Sequence, residues 1–288
     1  MLSVVIPAKN EAAAIGQIVG RILSVLPDTQ VVVVNDGSTD NTAEVARQSG
    51  ATVINHPYSK GNGAAIKTGA RAAAGEVIVC MDGDGQHAPE DIPRLLARLE
   101  QGYDMVVGAR QKGSQASVGR GLANALYNKL ASYMVEQRVE DLTSGFRAVR
   151  ADKFREFLYM LPNGFSYPTT STMAFFRVGY SVAYEPIDAS KRIGKSHIRL
   201  LRDGTRFLLI IFKIGTLFSP LKLFAPVAGL MLLLATGWYG YTFSTAGRFT
   251  NMSALLYTGA VLIFLLGLIS EQITALMYKD NGNDASKP

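Results

Sequence analysis

Two aspartates, Asp82 and Asp84, stand two residues apart in the run Asp82-Gly-Asp-Gly-Gln-His87, directly after the apolar stretch Glu76–Met81. Carboxylates this close repel each other unless a cation lies between them. Gly83 and Gly85 free the backbone to bend around such an ion. Oxygen ligands of this kind suit Mg²⁺ or Mn²⁺, which would bridge to a diphosphate and neutralise charge on a leaving group. The alternative is a solvated Asp/Gly turn, because the pattern is common by chance.

Two further polar clusters follow apolar runs in the same way. Pro7-Ala-Lys-Asn-Glu11 follows Leu2–Ile6, and Asp36-Gly-Ser-Thr-Asp40 follows Gln30–Asn35. A carboxylate such as Asp36 at a strand end can accept hydrogen bonds from a nucleobase edge. Asp40 is placed to cap the helix that begins near Asn41. Lys60-Gly-Asn-Gly63 opens a helix whose free amides could meet an anion, or it is a plain loop. Other signatures fail. Gly61-Asn-Gly63 lacks the last glycine of a dinucleotide fingerprint, no G-x-S-x-G occurs, and His56, His87 and His197 have no metal spacing. The single cysteine, Cys80, cannot form an internal disulfide.

The elements that must hold these clusters alternate. Strand-like runs fall at Leu2–Ile6, Gln30–Asn35, Ala51–Asn55, Glu76–Met81 and Asp104–Gly108. Helix-like segments lie between them at Glu11–Leu26, Thr42–Gln48, Gly63–Ala74 and Pro89–Glu100. This order predicts an α/β fold, a Rossmann-like parallel sheet with helices on both faces. In such a sheet the carboxyl ends of the strands open onto one edge, so the three clusters are expected to share a crevice. Further on, Gly119–Met134 and Ala151–Met160 read as helices, Ser181–Pro186 as a late strand, and Asp141–Arg147 as a loop.

The chain has 288 residues, of which 18% are charged, below the roughly 25% of an average globular chain. No Asp, Glu, Lys or Arg occurs in Leu223–Gly247 or in Phe249–Ser270. As helices these stretches reach about 37 and 33 Å, and either crosses a hydrocarbon layer of about 30 Å. The expected spans are 223–243 and 254–277, with a buried hairpin in a soluble protein as the alternative. The net charge of +6 is concentrated in Ile187–Lys222, where eight Lys or Arg face two Asp. This collar is unlike the diffuse basicity of a nucleic-acid binder. Within Ile198–Phe218, Arg199, Arg202, Arg206 and Lys213 share one helical face opposite Leu201, Leu208, Ile211, Phe212 and Phe218. That pattern suits a helix lying at the headgroup boundary. By the positive-inside rule the collar, the N-terminal domain and the tail are cytoplasmic. Met1 leads straight into Leu2–Val5 with no basic leader, which reads as no signal peptide. The expected organisation is a catalytic domain over 1–190, a basic juxtamembrane region over 191–220, two spans within 221–278 and a tail over 279–288. Glu271, near the cytoplasmic end of the second span, is expected to snorkel or cap.

These motifs together resemble glycosyltransferase family 2, and within it the dolichyl- or polyprenyl-phosphate sugar synthases of the dolichol-phosphate mannose synthase type, with two C-terminal transmembrane helices. The carriers are V-I-P-A-K-N-E (Val5–Glu11), N-D-G-S-T-D (Asn35–Asp40), D-G-D-G-Q-H (Asp82–His87), V-G-A-R (Val107–Arg110), S-G-F-R (Ser144–Arg147) and R-I-G-K-S (Arg192–Ser196). The resemblance implies a GT-A type fold and inverting transfer of one sugar from a nucleotide-sugar, such as GDP-mannose or a UDP-hexose, to a polyprenyl or dolichyl phosphate. By the same resemblance Pro7, Lys9, Glu11, Val34 and Asp36 would hold the nucleoside. Asp84 and Gln86 would ligate Mg²⁺ or Mn²⁺, with Asp82 and Gly83 beside the sugar or the metal. Arg110, Ser144, Arg147 and Arg192 would face the phosphates, as Arg forks suit such anions.

The chain departs from the family pattern at Asn35, where many members carry a second Asp, at Glu140, where some carry a basic residue, and at His197, where a Lys is common. Charge for the acceptor phosphate would then come from Arg147 or Arg138. A homo-oligomer is compatible with the pattern, and no nucleic-acid partner is implied. The competing readings are a processive polysaccharide synthase and an inactive membrane scaffold. The first would need a Q-x-x-R-W motif, whereas the one tryptophan, Trp238, lies inside the first span.

Overall fold

Valine-rich runs at Gln30–Asn35 and Val77–Cys80 have no polar alternation, which is the pattern of strands covered on both faces. In the computed structural model, which describes residues 1–110, 118–164, 166–188, 212 and 215–284, they form interior strands of a seven-stranded sheet. The strands are β1 (Leu2–Ala8), β2 (Gln30–Asn35), β3 (Thr52–Asn55), β4 (Val77–Cys80), β5 (Met105–Arg110), β6 (Arg147–Arg150) and β7 (Val182–Ile187), in the order β3-β2-β1-β4-β6-β5-β7. All neighbours pair in parallel except β6, which runs antiparallel to both β4 and β5.

The connecting helices are α1 (Ala12–Val25), α2 (Thr42–Gln48), α3 (Asn62–Ala72), α4 (Ile92–Glu100), α5 (Val118–Val135), α6 (Ala151–Arg155) and α7 (Tyr167–Val178). One sheet face, through Val4, Ile6, Val31, Val33, Val79 and Val106, packs on Ile15, Val19 and Ile22 of α1 and Leu95 and Leu99 of α4. On the other face α3 comes so close that a Cβ on Gly69 would lie 2.2 Å from Val5 Cγ1.

The alternating layout holds through Glu100, and three later expectations change. Asp141–Arg147 does not stay a loop throughout, because Arg147 begins β6. The expected helix Ala151–Met160 stops at Arg155. Helix α7 was not expected. Its Thr169-Thr-Ser-Thr172 run is polar and of low helix propensity, yet all four residues are buried. Their hydroxyls are satisfied internally: Thr170 Oγ1 donates to Ser166 O (3.2 Å), and Ser171 Oγ and Thr172 Oγ1 donate to Pro168 O (3.0 Å each). Burial also pushes the Cys80 thiol up to about 12, so it stays protonated.

The chain divides into two compact units, Met1–His197 and Ile198–Pro288. In the second, α8 (Pro220–Ala246) and α9 (Asn251–Asp284) form a hairpin, with 27 and 26 residues long and apolar enough to cross a membrane. The helices run past the charge-free limits read from the sequence, so only residues 247–250 link them. Gly247, at φ 61°, ends α8 in the left-handed conformation that glycine adopts without strain. Glu271 caps, as expected: its Oε2 accepts the Leu221 N–H at 3.2 Å at the start of α8. The expected interfacial helix Ile198–Phe218 lies almost wholly outside the described residues, as does Arg192.

Candidate active site

The parallel pairings bring the carboxyl ends of β1, β2, β4 and β5 to one sheet edge, and antiparallel β6 brings its amino end to the same edge. A cleft of about 510 Å³ opens there. Pro7, Lys9, Glu11, Asp36, Asp82, Gly83, Asp84 and Gln86 line it, so the three clusters read from the sequence do meet. Gly61 and Asn62 of the Lys60–Gly63 stretch also line it, as do Ser59 and Gly164, which were not anticipated. Gly164 enters from a turn about a hundred residues away in the chain, which no local pattern signals.

The first two clusters are knitted together around Asn10, whose φ of 56° is left-handed. Its side-chain oxygen accepts the Thr39 N–H at 2.8 Å, and its own N–H donates to Ser38 Oγ at 3.0 Å. Asp40 accepts the Thr42 N–H at 3.1 Å, at the first residue of α2, in keeping with its expected capping role.

Asp36 departs from expectation. Its Oδ1 accepts from His56 Nδ1 and the Lys60 N–H, and its Oδ2 from Ser59 Oγ and the Gly61 N–H, each at 2.8 Å. Four donors saturate a carboxylate, so Asp36 as folded is the keystone of the His56–Gly61 wall and has no lone pair left for a base. Burial alone would raise its pKa, but the bonds from His56, Lys60, Gly61 and Ser59 outweigh it and hold the group at about 2. A depressed pKa gives stability that is present above the ordinary value of 3.8 and is lost as the pH falls toward 2. The gap corresponds to about 2 kcal/mol. Asp36→Asn is therefore expected to speed amide exchange at Lys60 and Gly61 in ligand-free protein. Its thermal midpoint should lie below wild type at pH 6, with the difference shrinking from pH 4 toward pH 2. Unchanged exchange at both amides would contradict the keystone role.

Nor do the amides of Lys60, Gly61, Gly63 and Ala64 await an anion. Gly63 N donates to Gly164 O at 3.2 Å and Ala64 N to Asn163 O at 3.1 Å, while those of Lys60 and Gly61 serve Asp36. The backbones approach so closely that a Cβ on Gly63 would lie 2.0 Å from Pro162 O. Val34 is likewise corrected: it is fully buried in β2 beneath α3 and does not line the cleft.

Asp82 and Asp84 stand in the cleft on the loop after β4. Asp84 Oδ1 accepts the Gln86 N–H at 3.1 Å. Asn62 Nδ2 lies 3.4 Å from Asp82 Oδ1, and His87 Nε2 lies 3.9 Å from Asp82 Oδ2. Burial pushes the His87 imidazole below its ordinary value, against the pull of Asp82 and Asp84. Among the described residues no three His, Cys, Asp or Glu side chains are grouped to enclose a metal ion. Two carboxylates and an amide oxygen do fit a hard divalent cation that takes its remaining ligands from a bound diphosphate and water.

On the other side of β6, Arg110 is held by Asp141 through a bidentate pair, Nε to Oδ2 at 2.8 Å and Nη2 to Oδ1 at 2.9 Å, and also donates to Thr143 Oγ1 at 2.6 Å. Those bonds raise the Arg110 pKa, with a smaller contribution from the charge on Asp82. Asp141 is held below its ordinary value because the Arg110 bonds outweigh its burial. The sequence had not singled Asp141 out for this role.

Arg147 is not at the surface, contrary to the expected phosphate contact. It is fully buried, and Nη1 donates to Pro168 O at 3.0 Å, Ser171 Oγ at 2.6 Å and Thr172 Oγ1 at 3.2 Å. Its Nη2 donates to Ser144 O. Ser144 is buried as well, so neither meets the solvent-filled cleft. Arg138 is 86% exposed and pairs with Glu140 at 3.3 Å.

Residues 3–158 match Glycosyl transferase family 2, and residues 219–276 match the GtrB C-terminal hairpin. The chain is 31% identical over 215 residues to the dolichyl-phosphate hexose transferase of Haloferax volcanii, covering 74% of this chain and 93% of that one. Over an alignment of 307 positions it is 27% identical to the undecaprenyl-phosphate 4-deoxy-4-formamido-L-arabinose transferase of Aeromonas hydrophila, covering 97% and 90%. Among solved structures it is similar to glucosyl-3-phosphoglycerate synthase from Mycobacterium tuberculosis in complex with Mn²⁺ and UDP-glucose, with a TM-score of 0.58, 25% identity, and 75% and 78% of the two chains covered. The family match contains the three clusters of the cleft and the hairpin match contains the paired apolar helices: this chain belongs to glycosyltransferase family 2 and ends in a GtrB-type hairpin.

Proposed function

We propose that the protein transfers a single sugar, with inversion, from a nucleotide-sugar to a polyprenyl or dolichyl phosphate at the cytoplasmic face of a membrane. The host membrane is read as a bacterial or archaeal cell membrane or the cytosolic face of the endoplasmic reticulum. The observation that carries the reading is the cleft in which Asp82, Asp84 and Gln86 share one space with Lys9, Glu11 and the Ser59–Gly61 wall. Support also comes from relatives whose names specify lipid-phosphate acceptors, and from a structural neighbour holding Mn²⁺ and UDP-glucose.

In this reading Pro7, Lys9, Glu11 and the wall shaped by Asp36 receive the nucleoside. Asp84, Gln86 and Asp82 are the groups that would hold Mg²⁺ or Mn²⁺, and the ion, when bound, neutralises charge on the departing diphosphate. Arg110, fixed by Asp141 at the end of β5, offers a cation for a phosphate. The acceptor phosphate is already an anion and needs no strong base. The chain's work is to align it with the anomeric carbon and to stabilise the leaving group.

The test is a panel of GDP- and UDP-sugars incubated with the full chain, a polyprenyl phosphate and Mn²⁺. One donor should yield a lipid carrying one sugar. No transfer from any donor overturns the reading, and a polymer on the lipid would favour a processive synthase.

A further inference from the structure

The loops on either side of the β4–β6 seam touch at two points. Cys80 and Arg147 are register partners across the seam, so the loop after β4 and the loop before β6 leave the sheet side by side. At the first point Gly145 packs against Asp82 so tightly that a Cβ there would lie 2.7 Å from Asp82 Oδ2. At the second, the His87 ring stacks on Phe146 with centroids 5.1 Å apart and planes 20° apart. Within the loop after β4, His87 Nε2 faces the same Asp82 oxygen at 3.9 Å. Phe146 also presses on β5. Its carbonyl accepts the Gly108 N–H at 2.9 Å, and a Cβ on Gly108 would lie 2.9 Å from its ring. Gly108 is two residues before Arg110 on the same strand.

We propose that Gly145, Phe146 and His87 are positioning residues that clasp the loop Asp82–His87 to the buried segment Gly145–Phe146 and, through Phe146 and Gly108, to the strand that carries Arg110, so that a phosphate held at Arg110 fixes the Asp82 carboxylate for the metal. The inference rests on the reading above, in which Asp82 helps to hold the metal and Arg110 offers a cation for a phosphate. The contact is selective. Gly145 has an ordinary backbone conformation, so an alanine there is not strained in φ. The clash is relieved by swinging the Asp82 carboxylate away, which leaves the fold intact and puts the cost on the site. Such a clasp gives coupling between the two ligands, and coupling between binding sites is reciprocal.

The experiment follows Mn²⁺ uptake by the full chain in detergent, from the electron paramagnetic resonance signal of the free ion, with UDP and then with GDP present. Each titration is repeated with a polyprenyl phosphate added. Wild type should bind Mn²⁺ about fivefold more tightly or better when the lipid is present, the lower end of ordinary coupling. Gly145→Ala should weaken Mn²⁺ binding by about tenfold even without lipid, although it lies outside the Asp82–His87 loop. Phe146→Leu keeps an apolar side chain in the same place and should bring the lipid effect toward unity while Mn²⁺ still binds. Wild-type affinity in Gly145→Ala, or a lipid effect unchanged in Phe146→Leu, overturns the clasp alone. A wild type that takes up no Mn²⁺ with either nucleotide overturns the clasp and the proposed function together.

Discussion

Asp84→Ala is expected to reduce sugar transfer to polyprenyl phosphate by at least about 10²–10³-fold, the scale on which removing one group that stabilises developing charge is felt. Asp84 lies on the partly exposed loop after β4, where its Oδ1 accepts the Gln86 N–H. Truncation should therefore leave the thermal midpoint within a degree or two of wild type. Asp84→Asn keeps an acceptor for that amide and removes the charge, so it separates loop geometry from electrostatics. If charge is what matters, the asparagine variant falls nearly as far as the alanine variant in initial rates at saturating Mn²⁺. Full turnover in either variant would show that the carboxylate is dispensable.

Arg147→Ala is expected to act on the fold. Removing the side chain strands the Ser144 carbonyl and takes the guanidinium donor from Pro168 O, Ser171 and Thr172 in the buried junction between β6 and α7. A buried polar group left without its partner costs about 1–3 kcal/mol. Ser171 and Thr172 keep their bonds to Pro168 O, so the total is set at roughly 3–5 kcal/mol rather than the full sum. For a unit of this size the thermal midpoint should fall by roughly 10 °C. Arg147→Lys should not restore it, because one ammonium cannot reach both the Ser144 carbonyl and the α7 groups as the fork does. A variant with native thermal stability but no transfer would instead return Arg147 to the phosphate. Arg110→Ala offers the contrast: its pair with Asp141 borders the site, so activity should fall further than stability.

The different fates of Arg110 and Arg147 show where reading the sequence stops. Both end short motif strings, V-G-A-R and S-G-F-R, and both suit a phosphate by chemistry alone. Whether an arginine faces a ligand depends on what covers it. Arg147 is covered by α7, a helix whose Thr169–Thr172 run gave no helical signal and whose Ser171 and Thr172 hydroxyl oxygens accept from Arg147. Asp36 is similar. Its place at the end of β2 was legible, but its four donors come from a segment beginning twenty residues later, and their convergence is a product of strand order.

The sequence by itself determined the alternation of strands and helices through Glu100, the meeting of Pro7–Glu11, Asp36–Asp40 and Asp82–His87 at one edge, and the paired apolar helices at the end. Each follows from local information: side-chain periodicity, turn residues after a strand, and charge-free length. Tertiary structure alone decided that β6 runs against its neighbours, that Arg147 and Val34 are buried, that the amides of Lys60, Gly61, Gly63 and Ala64 are already taken, and that Gly145 presses on Asp82. Those outcomes turn on contacts between residues tens of positions apart, where packing and hydrogen-bond satisfaction choose among partners that no single segment specifies.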